Sequence, residues 1–440
     1  MRAIQDQNPK AAILGRWYPP FFYGWIIVIV VFIGDFMASG VGPFNVPLFF
    51  KPMTDSMGWS LTQLTIALSA QAIAGMIVSP FVGSLLDKYG ARPVMAGGAI
   101  IAGFGLILLM SIQEIWHFWL IYAIVGALGL HEMGQFTGPV VVSKWFIRFR
   151  GRAMAFATIG VSAGALVMAP IIGLLIPTIG WRQTWGVMGI SLLVIMVPTI
   201  LIFMRRQPED LGLLPDGETP HNLAGSQSQT ASGGPDREAS WTLGEALRTR
   251  TLWILIISLN LVGLMVASII THTVPYLTLQ ENMSIQMVSV VLVLRQVGGT
   301  FSKLMWGFLV ERIPVRYCLA AMYAIRSLGP LCLILIPYPY NVPPFVLFTG
   351  LGAAMSVLQP VVFANYYGRA FIGTIQGTMR PLLGISQLAG PLVVAMVFDA
   401  TGTFDVAFLV TVVVGMVAAG TALLATPPKH KELQTKISSE

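Results

Sequence analysis

The sequence predicts an all-α membrane protein: twelve transmembrane helices in two pseudo-symmetric six-helix bundles. Three observations predict it. Apolar residues make up 55% of the 440-residue chain and charged residues 10%, with a mean hydropathy of +0.76, whereas soluble domains carry about 25% charged residues. The apolar residues gather into twelve stretches, each near the ~20 residues that cross a hydrocarbon core as a helix. A polar stretch separates them six and six, and one charged motif recurs in both halves.

The first six stretches run Phe21–Phe50, Thr62–Leu86, Pro93–Ile112, Trp116–Val142, Ala153–Ile179 and Thr184–Met204. The second six run Leu252–Leu277, Met283–Val310, Tyr317–Pro337, Pro344–Tyr366, Gly373–Phe398 and Phe404–Ala425. They divide the chain into a bundle over 1–204, a linker over 205–250, and a bundle with a short tail over 251–440. The linker, notably Leu223–Asp236, is rich in Pro, Gly, Ser, Gln and charge. Such a composition cannot bury enough apolar surface to fold alone and is expected to tether, with Trp241–Leu247 as a candidate short surface helix. Met1–Trp17 shows no short apolar core with a cleavage site, so the first stretch is expected to be a retained helix.

Lys and Arg fix the expected orientation. With both termini in the cytoplasm, twenty fall in cytoplasmic loops and tails, two (Lys51 and Arg182) in outer loops, and four within the spans. The positive-inside rule therefore predicts both ends inside, and the expected location is the cell's inner, cytoplasmic membrane. It also accounts for the net charge of +7 without a nucleic-acid partner. Cys318 and Cys332 share one apolar stretch with no metal or redox spacing and read as packing residues. Nothing in the sequence asks for a cofactor, a metal or a catalytic nucleophile with its base, so an enzyme is not expected.

The recurring motif is Gly83-Ser-Leu-Leu-Asp87-Lys88 with Arg92, which returns as Gly307-Phe-Leu-Val-Glu311-Arg312 with Arg316, offset by 224 residues. Its Gly lets two helices approach closely, and its acid and bases can form a charged cluster at the cytoplasmic rim that holds one closed state. Here the sequence resembles the major facilitator superfamily, whose inter-helix loop signature is similar to Gly83 through Arg92. A narrower resemblance lies in Phe50-Lys51-Pro52-Met53-Thr54 with Gly58-Trp59-Ser60, and in Lys144-Trp145-Phe146 followed by Arg150-Gly151-Arg152-Ala153. Arg369 with Gly373-Thr374-Ile375-Gln376-Gly377 points the same way. These resemble the monocarboxylate transporter and oxalate/formate antiporter branch.

Arg295, Lys303 and Arg380 lie within apolar stretches of the second half. On insertion scales each costs about 2.5 to 3.5 kcal/mol at a helix centre, which calls for a polar cavity, a pairing scheme or an anionic ligand. In the resembling branch a basic residue four positions before the second motif's Gly is associated with the substrate carboxylate. Lys303 holds that place relative to Gly307, with Lys where Arg is usual, so it lacks the planar fork. Arg295, two turns earlier, is a candidate to supply it, and Gly298 and Gly299 are expected to leave room for a ligand. Arg380 lies near the position where the oxalate transporter has an eleventh-helix Lys. Gln135, Asn45, Tyr276 and Tyr366 are candidates to orient the anion. Arg326 is read as structural, bonded to backbone carbonyls, paired with an acid across a helix interface or snorkelling to an edge, because the ninth helix of the resembling fold is usually peripheral.

The first half supplies acids within its spans, Asp35 in the first and Glu132 beside His131 in the fourth. A carboxylate in a low-dielectric cavity is a proton-carrier candidate, and a salt bridge or packing is the plainer reading. The Lys and acid associated with proton coupling in animal monocarboxylate transporters are replaced by Phe44 and Gly299, which leaves symport, antiport and uniport open. The aromatic cage associated with oxalate is replaced by Gly352 and Ser356. The expected function is secondary active transport of a small organic anion, a monocarboxylate or related carboxylate, by alternating access, with protons as a candidate coupling ion. The alternative is a proton-coupled exporter of cationic drugs or metabolites that uses Asp35 and Glu132. The expected partners are the carboxylate, protons and membrane lipid, and the expected state is a monomer.

Overall fold

The computed structural model describes residues 21–42, 44–217 and 241–428, so Leu223–Asp236 lies outside the described residues. Twelve helical spans are long and apolar enough to cross a membrane, and the described residues contain no strand. The chain divides into two compact units. One comprises Met1–Glu238 with Arg369–Gly377, the other Ala239–Gly368 with Thr378–Glu440.

In the first unit, α1 (Gly24–Val41) stops short of the expected Phe50. The Gly40-Val-Gly42-Pro43 run explains this, since two glycines and a proline favour a turn over continued helix. A separate helix α2 (Pro47–Met57) follows, carries the exposed Lys51–Asp55 ion pair at 2.9 Å, and ends on Gly58 at φ 72°. Next come α3 (Leu61–Tyr89), started by a Ser60/Gln63 capping box, and α4 (Ala91–Leu108). The fourth span is composite: α5 (Ile115–Ile124), a π-helical stretch Val125–Gln135, and α6 (Thr137–Trp145). The last two are α7 (Arg150–Ile179) and α8 (Trp181–Phe203). Helix α1 packs along α7, and α4 along α8. The first crossing is close because a Cβ at Gly160 or Gly164 would overlap the Phe32 or Phe36 carbonyl oxygen.

Residues 205–217, expected as tether, are instead held down. Arg206 Nη2 donates to the Asp87 carbonyl oxygen at 2.7 Å, and Glu209 pairs with Arg369 at 2.6 Å. The Asp216 carboxylate accepts from the amides of Ile147, Arg148 and Phe149 at 3.0, 2.8 and 3.1 Å. Those amides lead into α7, where an anion is favoured by the helix dipole. Composition alone does not reveal such point attachments.

In the second unit, the short helix α9 (Leu243–Leu247) is capped by Thr242 and Glu245. It precedes α10 (Arg250–Pro275), whose span ends in a π-helical turn, Tyr276–Gln280. Then follow α11 (Ile285–Leu309) and α12 (Val315–Leu335). The tenth span is broken into α13 (Val342–Leu351) and α14 (Met355–Tyr367), and α15 (Ile372–Thr401) and α16 (Phe404–Leu424) complete the unit. Helix α16 packs on α10 and α12, and α13 packs on both α11 and α12.

Candidate functional site

The charged motif of the first unit is built around Asp87, buried near the end of α3. Its carboxylate accepts from Lys144 Nζ at 3.1 Å, from the Gly373 and Thr374 amides at 3.3 and 2.7 Å, and from Thr374 Oγ1 at 2.9 Å. Asp87 therefore caps the first turn of α15 from another helix. Gly83, one turn earlier on α3, has no room for a Cβ against the Gly373 carbonyl. Arg369 adds a 3.0 Å bond to the Lys144 carbonyl. Arg92 turns elsewhere, donating to the Leu201 carbonyl.

The first unit's remaining candidates cluster about the π-helical stretch. His131 lies against Gly75 of α3, where a Cβ would sit 3.2 Å from its Cδ2. Glu132, buried, faces Gly98 of α4, where a Cβ would sit 3.3 Å from its own Cβ. Asp35, buried on α1, lies over Gly134 with Oδ1 2.6 Å from where a Cβ would stand. Each of the three engages neighbouring groups. The wider π turn places consecutive residues His131 and Glu132 against two different helices. Gln135, half-buried, closes the stretch. Asn45 is committed to the backbone, donating from Nδ2 to the Gly40 and Ala165 carbonyls at 2.8 and 3.3 Å.

In the second unit the cations divide by environment. Arg295 is partly buried on α11, and no described group accepts a hydrogen bond from its Nη1. Lys303, buried two turns on, and Arg380, half-buried on α15 just before Pro381, both engage neighbours. Gly298 and Gly299 are not ligand space: a Cβ at Gly298 would stand 3.4 Å from the Gly350 Cα, and one at Gly299 would stand 3.3 Å from the Ala353 Cβ. They are taken up by the crossing of α11 with the tenth span. Tyr276 and Tyr366 have protein partners. The Tyr276 hydroxyl lies 2.7 Å from Glu281 Oε1, and the Tyr366 hydroxyl donates to the Ala425 carbonyl at 2.7 Å. The second motif copy is looser. Gly307 closes α11, Glu311 engages neighbours in the turn after it, and Arg316 donates to the Tyr317 hydroxyl at 2.8 Å.

Sequence reasoning passed over Lys144 as an ion-pair partner, Asp216 and Glu209 as anchors, and the open Nε donor of the buried Arg326. Only the last had a signal, since an arginine inside a span is a functional candidate by default.

A multi-pass, all-helical membrane protein with buried charge in both units and a glycine–acid motif at a helix end is a membrane transporter in architecture. The chain belongs to the Major Facilitator Superfamily, whose family model matches residues 24–380 and 262–439. It is a transporter of that family and not an enzyme. It is 25% identical over 433 residues to an uncharacterised MFS-type transporter, YcxA, of Bacillus subtilis (strain 168), covering 93% of this chain and 97% of that one. It is 25% identical over 406 residues to monocarboxylate transporter 11 of Homo sapiens, covering 88% and 80%. Among solved structures, the human organic anion transporter MFSD10 superposes with a TM-score of 0.68 at 17% identity, covering 92% of this chain and 100% of that one. The Escherichia coli fucose:proton symporter FucP also gives a TM-score of 0.68, at 15% identity, covering 91% and 98%.

Proposed function

We propose that this transporter carries a small carboxylate through the membrane by alternating access, with the second unit's span cations as its anion-binding groups. The observation that carries the reading is Arg295: a guanidinium inside a span, partly buried, with a donor atom that no described protein group accepts from. A buried donor left open costs about 1 to 3 kcal/mol, which a bound carboxylate returns. The similarity to monocarboxylate transporter 11 supports the same substrate class. Lys303 and Arg380 complete the proposed site. Asp35, His131 and Glu132 are its proposed proton carriers, so that symport or exchange depends on pH. The proposed placement is the inner membrane, with both termini cytoplasmic and the chain a monomer.

The test is uptake of radiolabelled mono- and dicarboxylates into proteoliposomes, with lipophilic cations as competitors. Saturable carboxylate uptake that Arg380→Ala abolishes, with folded protein still in the membrane, is the expected result. Uptake of cations alone, lost in Asp35→Asn or Glu132→Gln, would replace the reading with a cation exporter.

A further inference from the structure

Arg326 of α12 is 7% exposed, and its surroundings differ from those of an arginine that only braces a helix. Its Nη1 donates to the Gly352 carbonyl at 2.8 Å, yet its Nε has no acceptor among the described residues. Gly352 lies at the break in the tenth span, between α13 and α14. Side chains take two of the carbonyls at the break. Ser302 Oγ and Trp306 Nε1 donate to the Leu351 carbonyl at 2.5 and 2.8 Å, and Arg326 takes that of Gly352.

Arg295 faces the same break from the other side. Ser302, Trp306 and the Gly298–Gly350 contact mark the face of α11 that meets the tenth span. Arg295 stands on that stripe, since eleven residues separate it from Trp306 and eleven residues close about three helical turns. Its own carbonyl oxygen would lie 3.4 Å from a Cβ at Gly350. Arg295 thus meets the tenth span at Gly350 and Arg326 meets it at Gly352, which brings two like charges to one stretch of backbone. None of the described acidic side chains pairs with either. Helix α14 begins beside them at Ala354, whose side chain offers no cap, so the helix adds its own positive end. Two arginines, each with an open donor, and an uncapped helix start converge with no acid of their own. That arrangement is unfavourable empty and favourable around an anion.

We propose that Arg326 and Arg295 form a two-arginine clasp at the break of the tenth span that binds the substrate's carboxylate group. Arg326 is then a binding residue on the ninth span as well as a brace for Gly352. The inference rests on the carboxylate-carrier reading and assigns it a specific pair of groups. Two forks around one carboxylate also select planar oxyanions over halides of equal charge.

The test is thermal-shift and equilibrium binding on the purified full-length protein, using acetate, lactate, succinate, nitrate and chloride as probes. Arg326→Gln and Arg326→Lys both keep a donor for the Gly352 carbonyl, so each can fold while losing the fork. Each, and Arg295→Gln, is expected to weaken carboxylate binding between about 10- and 100-fold. The double Arg295→Gln/Arg326→Gln variant is expected to bind little worse than either single one, because both belong to one contact. Ligand-free Arg295→Gln is expected to melt above the unsubstituted protein, since it removes one of the two like charges; a role in bracing alone would not raise it. Carboxylate binding that both Arg326 variants leave unchanged overturns the clasp while the carrier reading stands. No stabilisation of the unsubstituted protein by any carboxylate or nitrate overturns both.

Discussion

Asp87 and Lys144 meet at 3.1 Å with each side chain only 8% exposed, although 57 residues separate them in the chain. Removing one member of a buried pair costs about 3 to 5 kcal/mol, because the survivor keeps its desolvation penalty without its partner. Asp87→Asn leaves the Lys144 ammonium facing an amide and weakens the cap on the first turn of α15. Lys144→Met removes the positive charge but leaves Asp87 its bonds from Gly373 and Thr374. Asp87→Asn is therefore expected to lower the melting temperature in detergent more than Lys144→Met does. The double variant is expected to lose less than the sum, since no unpaired charge remains. Strict additivity of the two losses would show that the pair contributes no coupling.

Asp216 stands at φ 59°, a left-handed conformation that Asp and Asn tolerate better than other residues with a side chain. From there its carboxylate accepts three consecutive amides ahead of α7. Asp216→Ala loses these bonds and strains the backbone, a cost of about 1 to 3 kcal/mol. Asp216→Asn keeps the conformation and one acceptor oxygen, so it is expected to lose less. Limited proteolysis within 205–217 reads this directly: cleavage is expected to rise in the order parent, Asn, Ala. Equal resistance in all three would mean that other contacts hold the segment.

These two attachments show what the sequence conveys and what it withholds. The spans are legible because burial in lipid requires long apolar runs, but the end of α1 was missed: the first stretch is expected to reach Phe50, although Gly42 and Pro43 directly follow Val41. The repeated Gly83–Asp87 motif is legible because its residues are local. Partners such as Lys144 and Asp216 are not, since each is chosen by a three-dimensional approach that leaves no periodicity. The π-helical stretch over His131 and Glu132 changes the hydrogen-bond step without changing composition, so an apolar run with those residues reads as α-helix. The break at Gly352–Ala354 is equally silent: small apolar residues suit a continuous span, and only the side chains that meet the carbonyls there disclose it. For the candidate site, intramembrane charge was legible. Which charges already have protein partners was not.

Tyr276 illustrates that last distinction. Its hydroxyl lies 2.7 Å from Glu281 Oε1 and 3.1 Å from the Leu333 carbonyl, while Asn341 Nδ2 donates to the same Glu281 oxygen at 3.1 Å. The single hydroxyl proton satisfies the shorter, charge-assisted contact, and the network ties the end of the seventh span to the end of the ninth. If the ring serves this network, Tyr276→Phe leaves carboxylate affinity unchanged and lowers thermal stability by about 1.5 to 3 kcal/mol, the usual loss for a bond to a charged acceptor. Glu281→Gln, which keeps an acceptor oxygen but no charge, is expected to cost less than Glu281→Ala, which strands both Tyr276 and Asn341. Thermal unfolding and carboxylate binding measured on the same preparations separate the two roles. A tenfold loss of affinity in Tyr276→Phe with an unchanged melting temperature would return the hydroxyl to the substrate.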